Sequence, residues 1–233
     1  RLARWRFTLA ACAMFALAAW RGEPLLLERA AMRHALLFGL AQFSINFQFV
    51  YASEHYLTSG LVAVFFALML VPNAIFARLF LGDRFSARFV LGSVVAIAGI
   101  ALLLLHEYRE APAGMDVLTG VLLVSGAVLC ASAGNVLQGT KLARGQPMAT
   151  MLAWGMLFGA LGDAAYAWTL HGAPQFDPRP EYLAGIVYLA LAGTVLTFPI
   201  YTALIRDWGP GPAAYNGVAV PVVAMALATL FAG

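Results

Sequence analysis

Charge disappears from the chain in eight stretches, at residues 7–20, 34–53, 59–77, 89–105, 117–140, 147–170, 182–205 and 209–233, and returns almost entirely between them. A helix needs about 20 apolar residues to cross a hydrocarbon core of about 30 Å, and all but the shorter first and fourth runs have close to that length. Backbone polar groups cannot stay unpaired in hydrocarbon, so a spanning segment is either a helix or a strand of a closed barrel. The runs are continuously apolar and do not alternate with period two, which excludes the barrel. The pattern predicts an all-α membrane protein, a polytopic bundle of about eight transmembrane helices. Asp163 is the one charged side chain in the interior of a run.

The charges that remain predict an orientation. Arg21, Arg29, Arg33, Arg78, Arg84, Arg88, Lys141, Arg144 and Arg206 follow runs one, three, five and seven, whereas only Arg109 and Arg179 follow runs two, four and six. Cations concentrate on the cytoplasmic side, so the first set of loops is expected to face the cytoplasm. Arg1, Arg4 and Arg6 contradict this parity, because they precede the first run on the opposite side. The conflict disappears if a further helix precedes Arg1 in the natural chain. Gly233 ends in apolar sequence with no flanking charge, and the expectation is a bundle cut at both ends. The alternative is an eight-span protein with an atypical start.

Composition narrows the field further. The chain is 62% hydrophobic and 11% charged, with a mean hydropathy of +0.83, against about 25% charged residues in soluble domains. Disorder, nucleic-acid binding and a secreted disulfide scaffold are excluded by this balance. Cys12 and Cys130 lie in apolar runs as small packing residues. No His-x-x-x-His or Cys-x-x-Cys pair suggests a metal, and no cofactor motif is expected. GNVLQGTK, from Gly134, ends an apolar run and has its last two residues in the wrong order for a phosphate loop. GPGPAA, from Gly209, places prolines where a dinucleotide loop needs backbone donors.

Two segments read as distant copies: YASEHYLTSGLVAVFFALMLVPNAIFARLFLG from Tyr51, and YTALIRDWGPGPAAYNGVAVPVVAMALATLFAG from Tyr201. Tyr51 aligns with Tyr201, Pro72 with Pro221 and Gly82 with Gly233, and parity gives the copies opposite orientation. With VPNAIFARLFLGDRFS, FVLGSVVAIAGIALLLL and the opening LARWRFTLAA, the sequence resembles the EamA-type members of the drug/metabolite transporter superfamily. The resemblance implies helices two to nine of a ten-helix pair of inverted repeats, the first at 1–105 and the second at 117–233. It implies a secondary transporter in a bacterial inner membrane that moves small organic metabolites such as amino acids or drug-like solutes, often outward. Asp83 stands where the family pattern has Glu.

Polar groups inside a bilayer are costly and mark candidate sites. Gln42 and Asn46 lie one turn apart on the second run, while Ser44, Gln48 and Tyr51 form a second stripe; either stripe could line a cavity while the other faces neighbouring helices. Pro72 and Pro221 remove backbone donors, with Asn73 and Asn216 nearby. The expected substrate-binding residues are Gln42, Asn46, Asn73, Tyr166, Tyr201 and Asn216. Asp163, on a face with Gly155, Gly159, Gly162 and Tyr166, is expected to couple transport to a proton; the competing reading has it snorkelling to the outer boundary. Asn135 and Gln138 read as a solvated helix end, and Glu54 and His55 as an external turn. An intramembrane enzyme acting on a lipid-linked substrate is the alternative function, but it calls for two convergent ionisable groups. The expected partners are a small-molecule substrate and the bilayer, and oligomeric state stays open.

Overall fold

A computed structural model describes residues 2–83, 91–95, 98, 99, 102, 116–171, 179–214, 216 and 217. Six long helices carry the described part: α1 (Leu2–Trp20), α2 (Arg29–Ser53), α3 (Gly60–Leu81), α4 (Val117–Gly139), α5 (Met148–His171) and α6 (Pro180–Trp208). Short helices Lys141–Arg144 and Pro210–Ala213 follow α4 and α6. Among the described residues there is no strand. The protein is an all-α, multi-pass integral membrane protein, and α2 to α6 are each long and apolar enough to cross a bilayer. Most of the expected fourth span lies outside the described residues, as do Pro221 and Gly233 of the eighth.

Helix limits correct the charge reading in one respect. Arg29, Arg33 and Arg78 sit within helices rather than in loops, and α6 continues three residues past Ile205, taking in Arg206. A run of apolar residues marks the hydrocarbon core, whereas the helix extends beyond it into the interfacial zone.

Small side chains let the helices approach closely. α1 and α5 pack through Phe7, Ala10, Ala11, Met14 and Ala18 against Ala149, Leu152, Ala153, Met156 and Ala160. α2 crosses α5 at Gly39 and Gly155, where a Cβ on Gly39 would lie 2.2 Å from the Gly155 carbonyl oxygen. A Cβ on Gly159 would lie 2.4 Å from that of Phe43. The α5 glycines are thus a close-packing surface, the usual glue between membrane helices. α4 packs on α2 and α3, and α6 on α1. Trp20, Trp168 and Trp208 are exposed near helix ends, as an interfacial belt requires.

Four departures from α-helical geometry shape the bundle, one of them a π-helical turn at Ala77–Leu81 that ends α3. α3 breaks at Leu68 and Met69. Leu68 lies four residues before Pro72, whose missing N–H removes the α-helical partner of the Leu68 carbonyl; that carbonyl accepts the Val71 N–H at 2.9 Å instead. A π-helical segment occupies Leu40–Ile45 of α2 and another Leu191–Leu196 of α6. The second lies just ahead of Pro199, a span proline additional to Pro72 and Pro221, and such a local widening re-satisfies the backbone there. The two segments start 151 residues apart, in register with the spacing of the Tyr51 and Tyr201 copies.

The connection after α1 is built to hold α5. Gly22, at φ 69°, closes α1 with Gly22 N–H to Ala19 O and Glu23 N–H to Ala18 O. This turn delivers Glu23 to the start of α5, where its carboxylate accepts the Thr150 backbone N–H at 3.0 Å and faces the Thr150 hydroxyl at 3.3 Å. Trp154 donates its Nε1–H to Leu25 O at 2.8 Å.

Candidate functional site

Between α3 and α6 lies a cavity of about 460 Å³, lined by Ala63, Phe66 and Met69 of α3, Thr197, Phe198 and Tyr201 of α6, and Asn216 and Gly217 beyond it. Its walls are mainly apolar. One side carries polar groups. Asn135 of α4 directs its amide nitrogen to the Tyr201 hydroxyl at 3.3 Å, the Asn73 amide oxygen at 3.4 Å and the Met69 sulfur at 3.6 Å. Asn73, fully buried, passes its own N–H to Pro210 O at 3.1 Å. The break in α3 puts Met69 and Asn73 in reach of one α4 side chain.

Asn73, Tyr201 and Asn216, three of the residues expected from the sequence, therefore gather around this cavity or directly behind its wall. Asn135 joins them, contrary to the reading of a solvated helix end: it is only 2% exposed. Gln138 is also buried, and its side-chain oxygen accepts from Arg206 at 3.2 Å. Both lie near the end of α4, but α3, α6 and the Pro210 turn cover that end. Arg206 also donates to Gln146 O at 3.0 Å, so it ties α6 to the α4–α5 connection.

Gln42 and Asn46 do not line the cavity. Gln42 packs on Gly134 of α4, where a Cβ would meet its side-chain oxygen at 2.4 Å, and Asn46 donates back to Gln42 O at 3.2 Å. The other stripe of α2 faces α5. Gln48 donates to Asp163 Oδ1 at 2.8 Å, and Ser44 lies alongside Gly162. Asp163 is 2% exposed, so it does not snorkel to the boundary; its Oδ2 is buried with no hydrogen bond among the described residues. Tyr166 is 47% exposed on the outside of α5 and joins neither group.

Arg6, which sequence parity flagged as misplaced, reaches into the bundle from α1. Its Nε–H donates to Thr194 Oγ1 at 2.9 Å and its Nη2 to Gly193 O at 3.1 Å, both in the π segment of α6. Its charge lies 5.1 Å and 5.2 Å from the ring centres of Phe7 and Phe47. Glu54 and His55 are exposed in the α2–α3 turn, as expected. Among the described residues no group of three or more His, Cys, Asp or Glu is placed to hold a metal.

Comparison with known proteins agrees with this architecture. The chain matches the EamA-like transporter family over residues 1–105 and 118–233. It is 32% identical over 195 residues to a protein of Pseudomonas aeruginosa named as a probable biotin transporter, a match covering 82% of this chain and 64% of that relative. The chain thus spans less than two thirds of the relative's length. With both halves matched and an all-helical membrane bundle around a lined cavity, the chain belongs to the EamA-like transporter family.

Proposed function

We propose that this chain forms the core of a secondary transporter that moves a small organic metabolite across a bacterial inner membrane by alternating access. The observation that carries the reading is the cavity between α3 and α6, with mainly apolar walls, Tyr201 on its lining and Asn135 and Asn73 hydrogen-bonded behind it. Its volume falls within the range of about 300–1,000 Å³ of small-ligand sites. Apolar walls would hold the body of the solute, and the amide and phenol would fix a polar head by hydrogen bonds. The matched halves correspond to two inverted repeats, and the π segments in register on α2 and α6 are where each repeat flexes. The cation-rich end faces the cytoplasm by charge bias.

Biotin is the first solute to assay, because the Pseudomonas aeruginosa relative is named for it and its ureido ring suits an amide and phenol surface. Asp163 supplies the proton-coupling group: one carboxyl oxygen is held by Gln48 and the other is buried with no hydrogen bond among the described residues. The enzyme alternative is weaker, because Asp163 has no second carboxylate converging on it among the described residues. Counterflow by the full-length protein in proteoliposomes, with biotin and a panel of amino acids and other metabolites, tests the function. Accelerated exchange of at least one solute supports it, and no exchange across the panel overturns it.

A further inference from the structure

The guanidinium of Arg6 has more donors than the protein uses. Of its five N–H groups, the Nε–H goes to Thr194, one on Nη2 to Gly193 and one to the Tyr51 hydroxyl, which leaves two. Phe7 and Phe47 flank the charge, and the Tyr51 hydroxyl lies beside it. Among the described residues no carboxylate lies against it, although Glu54 and Asp163 are both near enough to act on Tyr51. A cation held at three points inside an apolar bundle, with its remaining donors unmatched by any protein anion among the described residues, is built to meet an anion from elsewhere.

Its position relates it to the cavity. The Gly193 carbonyl that accepts from Arg6 also accepts from Thr197, a cavity residue, at 2.9 Å. Phe198 of the cavity wall packs on Phe43 at 4.8 Å between ring centres, and Phe43 packs on Phe7 at 5.1 Å. Gly193 and Tyr201 are eight residues apart on α6, roughly 12 Å along the axis. The partners of Arg6 and the cavity's Tyr201 are thus about one elongated solute apart along α6.

We propose that Arg6 is the anchoring site for the carboxylate of the transported solute, which is an elongated monocarboxylate with an apolar body. This rests on the transporter reading above. One guanidinium balances one negative charge, and its planar donors match the two oxygens of a carboxylate. Thr194 and Gly193 fix its orientation, and the flanking rings limit competing water.

The test compares biotin with biotinamide, which lacks the charge, using full-length protein both in detergent for equilibrium binding and in proteoliposomes for counterflow. Wild-type protein is expected to bind biotin at least about tenfold more tightly than biotinamide, the scale of a charge-assisted hydrogen bond. Arg6→Gln removes that preference and leaves biotinamide binding nearly unchanged; Arg6→Lys, which keeps the charge but not the fork, falls between. Thr194→Val, which leaves the guanidinium in place but frees its orientation, weakens biotin binding by less than Arg6→Gln. Equal binding of acid and amide by wild type, or an equal loss of both in Arg6→Gln with Arg6→Lys no better, overturns the proposal. Counterflow with no preference for the acid leaves the transporter reading standing and removes the anchor. Arg6-dependent binding without counterflow does the reverse, and absence of both binding and counterflow overturns both.

Discussion

A buried polar side chain is defined by what surrounds it, and the three most informative residues here differ in how much of that the sequence discloses. Asp163 is visible at once, because a carboxylate in an apolar run is expensive and calls for a reason. Its partner Gln48 is visible only as half of an ambiguity, since α2 carries two polar stripes and only packing assigns one to α5 and the other to α4. Asn135 was hidden, because depth counted from the end of an apolar run says nothing about neighbouring helices that cover that end. Replacing Asp163 by Asn preserves the shape and a hydrogen bond to Gln48 but removes the titrating group. Expected is retention of solute exchange with loss of the response to an imposed pH gradient; an unchanged response contradicts the coupling role. Arg6 stands out in the sequence as an exception to charge parity and as part of LARWRFTLAA, but its bonds to Thr194 and Gly193 of α6 are visible only in the packed bundle.

Elements succeed or fail on contacts that run length alone does not reveal. The order of the six described long helices was legible from hydropathy, and Pro72 announced the break in α3, because a proline removes a helix donor. The π segment of α2 has no such marker. Glycines on α5 were legible as a packing face, and the approach at Gly39 makes the cost of filling it testable. Gly39→Ala places a methyl against the Gly155 carbonyl, where only backbone movement relieves it, and is expected to destabilise by about 1–3 kcal/mol. Gly60→Ala meets nothing within 4 Å and is expected to leave the thermal midpoint in detergent unchanged or slightly raised. Similar midpoints for the two variants contradict the packing account. Glu23→Ala removes the carboxylate that faces the first turn of α5 and is expected to cost about 1 kcal/mol, read by the same melt. Asp116, outside the membrane, caps α4 by accepting the Thr119 N–H at 3.1 Å and its hydroxyl, and these bonds hold its carboxyl below the usual value. A depressed folded-state value means the cap contributes above the unfolded value of about 4 and is lost as pH falls through the folded one. Asp116→Asn is expected to flatten that acid-side part of the melting profile.

At the scale of the whole molecule, apolar runs, charge parity and a weak repeat converge on one arrangement: a helical bundle with ionisable groups set apart on different helices. The bundle was legible because the bilayer demands that every spanning backbone be helical, and the family through the resemblance carried by VPNAIFARLFLGDRFS and its flanking motifs. The cavity was not, since it depends on the gap between α3 and α6 after every other contact is made. Its polar side, built from Asn73, Asn135 and Tyr201, is where the solute is held in the central claim. Counterflow of biotin by full-length protein in proteoliposomes, wild type against Asn135→Ala, tests that claim most directly. The account predicts exchange by wild type and a loss of about tenfold or more in apparent affinity in the variant, with its thermal midpoint within a few degrees of wild type. Equal exchange by a folded Asn135→Ala protein would contradict it.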